Sequence, residues 1–294
     1  MRDTGCRFEG YTLRRGMTED LAAISRLLAA SRWVYWPPGR EEPMALLERE
    51  PSLVWLQGLG LRGVFLVGLR RRPVAMGRLL VLQHRDELAF FAQTILPRME
   101  AELAGMGMGW LGFVDCPPWL ASILAAQGYG IQDRVVGYRL APPAVQKGGN
   151  AQVAIRPAVS QEMPAILALD AAIFTPFWRL NQELIAEFLA LAPGVLVAEE
   201  DGALLGYLAA QRQGHATVFI SRLGVHPLHQ GRGIGRRLLA EALTQWRAAG
   251  TKEVYLNTQE DNLRARRFYE RLGFAPTEER ETYWAKYLAL HVLP

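Results

Sequence analysis

The stretch GVHPLHQGRGIGRRLL, Gly224 to Leu239, concentrates glycine and positive charge between two apolar segments. The preceding run ATVFISRLGV is β-branched and apolar, as is typical of a strand, and the following apolar residues recur at helical spacing. A helix start offers unpaired backbone N–H groups and the positive end of the helix dipole, and glycine lets the chain approach a ligand closely. The stretch therefore predicts a main-chain cradle for a pyrophosphate, with Arg232, Arg236 and Arg237 as possible charge partners.

Two other interpretations of these glycines fit less well. A plain turn needs one or two glycines and no ligand. A dinucleotide-binding fold has the spacing G-x-G-x-x-G in its first βαβ unit and an acid at the end of the next strand. Here the spacing is G-x-G-x-G, late in the chain, and the next strand, EVYLN, ends in Asn257.

Composition bounds the class of protein. The 294 residues are 50% hydrophobic and 21% charged, as in a globular protein of one large or two ordinary domains. A net charge of +4 suits an anionic ligand, but it is too small and dispersed to favour nucleic acid as partner. Two cysteines make neither a disulfide framework nor a metal site. With no apolar leader or long apolar run, we expect a cytoplasmic protein without membrane contact.

The two halves of the chain resemble each other in outline. Gly128 and Gly273 are 145 positions apart, and so are Tyr138 and Tyr283. The segment APPAVQKGGNAQ, 141–152, is rich in proline and glycine and predicts a linker between a domain at 1–145 and a second at 151–294. Where the second half has HPLHQGRGIG, the first has QHRDELAFFAQ without a glycine. We therefore predict a duplicated α/β unit whose first copy lacks the phosphate loop.

The second half resembles the GNAT N-acetyltransferases in two motifs. The family loop Q/R-x-x-G-x-G/A matches Gln230, Gly233 and Gly235. The later signature N-x-x-A-x-x-Φ-Y-x-x-x-G-F, in which Φ is apolar, is met by Asn262, Ala265, Phe268, Tyr269, Gly273 and Phe274. The resemblance covers about 153–288 and implies two tandem GNAT folds, the first degenerate, each a mixed, mostly antiparallel sheet flanked by helices.

The resemblance also implies a cofactor, acetyl-CoA, and roles for individual residues. Tyr269 would protonate the departing thiolate, and the amide of Val225 would polarise the thioester carbonyl. The residues expected to bind coenzyme A, mainly through the backbone of the strand and loop, are Leu223, Val225, Gln230, Gly231, Arg232, Gly233, Ile234, Gly235, Arg236, Asn257, Asn262 and Phe268.

The general base stays open. Asn257 occupies the position at which the ribosomal-protein branch of the family has a glutamate, so a water chain, another acid or an amine deprotonated in solution remain as alternatives. Glu199 and Glu200 favour a polar hairpin tip. Ser221 is a candidate to orient a water. His226 and His229 are interpreted as loop residues, because no third ligand nearby completes a metal site.

Two aromatic segments also keep two interpretations each. FTPFW, 174–178, either lines the acceptor site or packs in a core, and WVYWPP, 33–38, either closes a cleft or fills a core. The predicted function is transfer of acetyl from acetyl-CoA to a primary amine of a small molecule or peptide, by direct attack in a ternary complex. The alternatives are a non-catalytic acyl-CoA-binding module and, against the intact loop, aminoacyl transfer from tRNA.

Overall fold

The computed structural model describes residues 6–8, 10–37, 42–143, 148–191 and 193–288. These residues form two compact units, each with its own core. Unit 1 comprises the described residues of Met1–Asp133 and of Thr282–Pro294, and unit 2 is Arg134–Glu281.

Unit 1 is built on strands flanked by helices. Its strands are β1 (Cys6–Phe8), β2 (Tyr11–Arg15), β3 (Trp33–Tyr35), β4 (Ser52–Gln57), β5 (Gly60–Arg71), β6 (Val74–Leu82) and β7 (Trp110–Val114). Its helices are α1 (Leu21–Ala30), α2 (Pro43–Arg49), α3 (Glu87–Phe90), α4 (Leu96–Gly105) and α5 (Pro118–Ala126), and a π-helical turn at Phe91–Ile95 joins α3 to α4.

Unit 2 repeats this arrangement. Its strands are the greater part of β8 (Gly130–Leu140), then β9 (Ala154–Pro157), β10 (Pro193–Glu200), β11 (Ala203–Gln213), β12 (Thr217–Val225), β13 (Glu253–Gln259) and the first half of β14 (Ala275–Tyr287). Its helices are α6 (Met163–Ile173), α7 (Gln182–Ala190), α8 (Ile234–Ala248) and α9 (Leu263–Arg271).

In each unit the strands form a mixed, mostly antiparallel arrangement, as the sequence predicts. The strand order in unit 2 is β8-β13-β12-β11-β10-β9. Within it β12 and β13 are parallel, whereas β10 pairs antiparallel with both β9 and β11. Unit 1 has the corresponding parallel pair between β6 and β7. A parallel pair requires a crossover connection, and α8 provides it between β12 and β13.

The helix after the glycine loop is the main crossover of unit 2. Its apolar residues recur at helical spacing and are buried against the sheet, whereas Arg236 and Arg247 are exposed. The buried residues of α8 are Ile234, Leu238, Leu239, Ala240, Ala242, Leu243 and Trp246. This burial anchors the helix, so its first turn is held at a fixed place beside the end of β12.

The last strand of each sequence repeat pairs with strands of the other repeat, so the boundaries of the repeats differ from those of the two compact units. β8 is the last strand of the first repeat, yet its residues Val135–Leu140 pair with β13 in unit 2. β14 is the last strand of the second repeat, and its residues Tyr283–Tyr287 pair with β7 in unit 1. The predicted domains, 1–145 and 151–294, follow the sequence repeat, and each spatial unit contains a closing strand from the other repeat.

The predicted linker includes residues 144–147, which lie outside the described residues. Its last part packs against the first turn of α8, where the Asn150 N–H donates to the Gly233 carbonyl at 3.4 Å. A Cβ on Gly149, whose φ is +105°, would lie 2.6 Å from the Arg237 amide nitrogen. This approach therefore requires glycine. Within the described parts of the chain, the helices are all too short or too polar to traverse a lipid bilayer.

Candidate active site in unit 2

The glycine loop adopts a conformation that exposes its backbone. Gly231 and Gly233 have φ values of +82° and +78°, which disfavour residues with a side chain, and Gly233 is the N-cap of α8. Gly235, in the first turn, faces Val225 and Phe268 at 3.6 and 3.7 Å from its ideal Cβ position. The loop therefore brings main chain, rather than side chains, to its surface.

Six consecutive amides of this loop are available to a ligand. Among the described residues, no hydrogen-bond acceptor is found for the backbone N–H groups of 231–236. Three of these amides belong to the first turn of a 15-residue helix, where its dipole is positive. Such a cluster fits a doubly charged pyrophosphate, which is the group expected here from the sequence.

Beside the loop, the two parallel strands separate. β12 pairs with β13 only as far as Ile220 opposite Leu256, although β12 continues to Val225 and β13 to Gln259. The register between β11 and β12 shifts at this point, which leaves Ser221 as a bulged residue. A bulge bends a strand and increases its twist, and this accounts for the separation.

The separation turns the backbone of β12 toward the gap. The His226 N–H donates to the Leu205 carbonyl at 2.8 Å. Because bonded and non-bonded pairs alternate in an antiparallel ladder, Val225 and Leu223 occupy non-bonded positions opposite β11. Their N–H and C=O groups therefore face the gap, as an extended cofactor arm requires.

A cavity that is open to solvent occupies this gap. It brings together Asn257, Asn262, Tyr269 and the bulged Ser221. Phe174 and Trp178 also line it, whereas Phe177 is buried in the core, so the core interpretation of FTPFW is correct for Phe177. The remaining lining residues are Val135, Ile220, Arg222, Leu223, Thr258, Gln259 and Ala265.

Tyr269 projects from α9 into this cavity. Its ring is 7% exposed and packs against Phe268, Phe274 and Tyr138 with centroids 5.3 to 6.2 Å apart. No hydrogen bond to its hydroxyl is found within the described residues. Burial raises the pKa of this phenol above its usual value of about 10, so the hydroxyl is protonated at neutral pH.

The other predicted cofactor residues surround the same gap. The Asn262 side-chain oxygen caps α9 by accepting the Ala265 N–H at 3.1 Å, which leaves its NH₂ group as a donor. Gln230 bridges two elements: its amide donates to the Val225 carbonyl at 3.0 Å and its oxygen accepts from Arg264 at 2.5 Å. These bonds fix the position of the loop relative to β12.

The charged residues of the loop have different surroundings. Arg232 forms a two-pronged ion pair with Glu200 at 2.7 and 2.8 Å and also contacts the His229 ring, whereas Arg236 is exposed. Glu199 is bonded to Arg156 at 2.7 Å. Both glutamates belong to the β10–β11 hairpin and neither lines the cavity. The described residues bring no third metal ligand to His226 and His229, whose rings are 5.6 Å apart.

The sequence analysis missed one charged residue of the cavity, Arg222. Its guanidinium donates to the Trp178 carbonyl at 2.7 Å and lies 5.1 Å from the Phe174 ring centroid. Behind it the fully buried Asp170 accepts from the Tyr207 hydroxyl and from the Leu180 N–H. Burial raises the pKa of Asp170, and these donors only partly offset the effect. The available signal was a lone arginine within the apolar strand ATVFISRLGV.

In unit 1 the corresponding gap is filled. β6 and β7 pair only from Val74 to Met76 on the β6 side. Beyond that point the Tyr35 hydroxyl accepts from the Val114 N–H at 3.0 Å and donates to the Gly77 carbonyl at 3.4 Å, so one side chain joins both strands. For Tyr35 the core interpretation of WVYWPP is therefore correct.

The helix start that follows β6 is also occupied from within. The Glu87 carboxylate, 2% exposed, accepts the His84 N–H at 2.6 Å and lies 3.8 Å from the Arg62 guanidinium. An internal carboxylate thus takes the place at which unit 2 offers free amides. In its described residues, unit 1 accordingly presents neither the gap nor the loop of unit 2.

Comparison with known proteins agrees with this geometry. Residues 164–274 match the Acetyltransferase (GNAT) family. A mycothiol acetyltransferase of Beutenbergia cavernae is 43% identical over 83 residues, 28% of each chain. The N-alpha-acetyltransferase RimI of Mycobacterium tuberculosis is 39% identical over 90 residues, 30% of this chain and 55% of that protein. The chain thus matches about half or less of the length of these relatives.

A solved structure extends the likeness to both units. A tandem GNAT protein from the clavulanic acid biosynthesis pathway superposes with a TM-score of 0.57, covering 95% of this chain and 98% of that one at 17% identity. At this identity the likeness concerns the fold. Residues 164–274 of unit 2 therefore match the GNAT family of acetyltransferases, and the chain as a whole has the fold of a tandem GNAT protein.

Proposed function

We propose that unit 2 transfers an acetyl group from acetyl-CoA to a primary amine of a small molecule or peptide. The observation that carries this proposal is the row of six free amides at 231–236, placed directly beside the gap between β12 and β13. The free amides suit a pyrophosphate, and the gap between the strands suits an extended arm that ends in a thioester. Bound acetyl-CoA supplies the acetyl group as that thioester.

The residues of the gap have separate tasks in this reaction. The outward N–H of Val225 donates to the thioester carbonyl, which favours attack by the amine. The Asn262 NH₂ group positions the cofactor arm. Tyr269 holds the proton that the leaving sulfur requires, because its buried hydroxyl stays protonated at neutral pH. The amine attacks directly while both substrates are bound.

The lining of the cavity constrains how the amine loses its proton. Among its thirteen described lining residues there is no aspartate, glutamate or histidine. An alkyl amine has an ordinary pKa near 10.4 and must be neutral to attack. We infer that the proton leaves to solvent or through a water held by Ser221 and Asn257. Asn257 occupies the position at which the ribosomal-protein branch of the family has a glutamate.

The test is a product assay across amines with purified protein and acetyl-CoA. Amino acids, polyamines, aminoglycosides and short peptides are the acceptors, with thiol release and product mass as readouts. We expect turnover with at least one class and saturable acetyl-CoA binding. Binding without any transfer would instead support a non-catalytic acyl-CoA-binding module. Failure of acetyl-CoA to bind would contradict both.

A further inference from the structure

The most unusual group in the cavity of unit 2 is the Arg222 guanidinium. Its side chain is 15% exposed, and among the thirteen described lining residues it is the only one charged at neutral pH. Charges are rarely buried unless they are paired or bind a ligand. The proposed transfer chemistry assigns no task to this cation.

Its surroundings hold the guanidinium in place. The Phe174 ring lies against it at 5.1 Å, and the terminal nitrogens donate to the Ser221 and Trp178 carbonyls at 2.9 and 2.7 Å. The Asp170 carboxylate attracts it from behind, with 3.8 Å between Nε and Oδ1, too long for a hydrogen bond. The Arg222 side chain is therefore already ordered in the free protein, so binding a ligand does not carry the entropic cost of ordering it.

The guanidinium nevertheless retains hydrogen-bonding capacity. Of its five N–H groups, two donate to the carbonyl oxygens, and the buried Nε–H has no hydrogen-bond partner. The guanidinium also interacts with the Tyr207 hydroxyl, so at least one of the two remaining terminal N–H groups is available to a ligand. Asp170 lies nearest to Nε, at 3.8 Å, and accepts from Tyr207 and Leu180.

We propose that Arg222 binds a carboxylate on the amine acceptor, so that the preferred substrates are amines that also carry a carboxyl group, such as amino acids. This assignment rests on the proposed transferase function of unit 2. A planar guanidinium with an available terminal N–H group matches a carboxylate in shape and charge. Polycationic amines meet a positive charge here and no carboxylate in the lining, so the same residue disfavours polyamines and aminoglycosides.

The position of this charge also serves the reaction. A cation in a partly desolvated cavity disfavours the protonated form of a nearby amine. Arg222 thus lowers the pKa of the acceptor amine in a site whose lining contains no carboxylate base. One residue accordingly selects the acceptor and increases its neutral, reactive fraction.

The experiment compares each carboxylated acceptor with its carboxamide, which has nearly the same size without the charge. Both are titrated into protein saturated with coenzyme A, by calorimetry, and both are assayed for turnover with acetyl-CoA. The variants are Arg222→Met and Arg222→Lys. The matched control is Arg212→Met at the end of β11, which removes an arginine whose side chain, among the described residues, donates to the His215 carbonyl and does not line the cavity.

We expect wild-type protein to bind carboxylated acceptors more tightly than their carboxamides. Arg222→Met should weaken carboxylate binding about 10- to 100-fold and change carboxamide binding less than about threefold. Arg222→Lys should recover part of the difference, and Arg212→Met none of the loss. If Arg222→Met misfolds because Asp170 is left unpaired, the double variant Arg222→Met/Asp170→Asn removes both charges and serves instead.

Three outcomes overturn the assignment. One is wild-type protein that binds carboxamides or polyamines as well as carboxylated amines, and another is an equal loss for both members of a pair in Arg222→Met. The third is coenzyme A binding without affinity for any carboxylated amine. Failure of the proposed function looks different, because acetyl-CoA itself then fails to bind, or the selectively bound acceptors are not acetylated.

Discussion

Tyr269 illustrates how one side chain can be assigned from its surroundings. Its ring is fixed by Phe268, Phe274 and Tyr138, while its hydroxyl lines the cavity next to Asn262. Packing thus accounts for the ring but not for the hydroxyl. The hydroxyl has no hydrogen-bond partner in the described residues and faces a cavity that is open to solvent, so its proton is available to a ligand bound there.

Tyr269→Phe tests this role. The ring and its packing remain, so we expect acetyl-CoA to bind within about threefold of wild type while turnover falls about 10²-fold or more. Calorimetry and steady-state kinetics measure the two effects separately. Normal turnover in the variant would remove Tyr269 as the proton donor.

The glycine loop allows a second prediction at the scale of a residue. Gly233→Ala places a side chain at φ +78° and 3.2 Å from the Asn150 amide nitrogen. Gly250→Ala is the matched control, because Gly250 follows the other end of α8 at φ +84° with open space around it. Both changes should cost about 1 kcal/mol of stability.

Only Gly233→Ala should also reduce affinity for acetyl-CoA, by about tenfold, because it shifts the amides of the loop. Thermal unfolding gives the shared cost, and calorimetry gives the difference in affinity. Equal affinities in the two variants would place the pyrophosphate elsewhere.

At the scale of elements, the two units differ in how their parallel strands end. In unit 2 the bulge at Ser221 separates β12 from β13 and leaves a cavity. In unit 1 the Tyr35 hydroxyl joins β6 and β7 at the corresponding place. The same arrangement of strands therefore forms a binding site or a core, depending on one tyrosine and a few of its neighbours.

The helix start of unit 1 predicts a pH effect. Burial raises the pKa of Glu87 above its unfolded value of about 4.3, so the folded state holds this proton more tightly. The stabilisation that comes from protonated Glu87 is complete below the pKa that Glu87 has in the unfolded chain. It is lost as the pH rises through the higher pKa that Glu87 has in the folded protein. Glu87→Gln keeps an oxygen that accepts the His84 N–H and removes the titration.

The stability of wild type minus that of Glu87→Gln should therefore decrease as the pH rises above the ordinary glutamate pKa of about 4.3. Urea unfolding at several pH values measures this difference. Glu102→Gln, at an exposed position of α4, controls for the loss of one negative charge. A difference that increases with pH would show that the carboxylate of Glu87 stabilises the folded state.

At the scale of the whole molecule, we propose that unit 2 alone binds the coenzyme, because among the described residues only unit 2 has both free loop amides and an open gap. We expect calorimetry to give one acetyl-CoA bound per chain. Hydrogen exchange should show protection at 231–236 on binding and no change at 84–90, because Glu87 already occupies that helix start. Two equivalents per chain would contradict this assignment.

The sequence by itself determined the duplicated mixed sheet, the resemblance to the GNAT acetyltransferases, the strand-to-helix glycine loop and the signature that contains Asn262 and Tyr269. These are local patterns: periodicity identifies strands and helices, and the positions with positive φ in the loop favour glycine. Glu199 and Glu200 were also interpreted correctly as hairpin residues, since turn chemistry is local.

Only the tertiary structure decided which strand each closing strand pairs with. β8 and β14 occupy equivalent positions in the two sequence repeats, yet β8 pairs with β13 of the second repeat and β14 pairs with β7 of the first. Tertiary structure alone also placed Arg222 of the cavity against the buried Asp170, 52 positions away in sequence, and placed Tyr35 in the gap of unit 1. Strand pairing and the burial of a charge depend on residues distant in sequence. No local pattern specifies them.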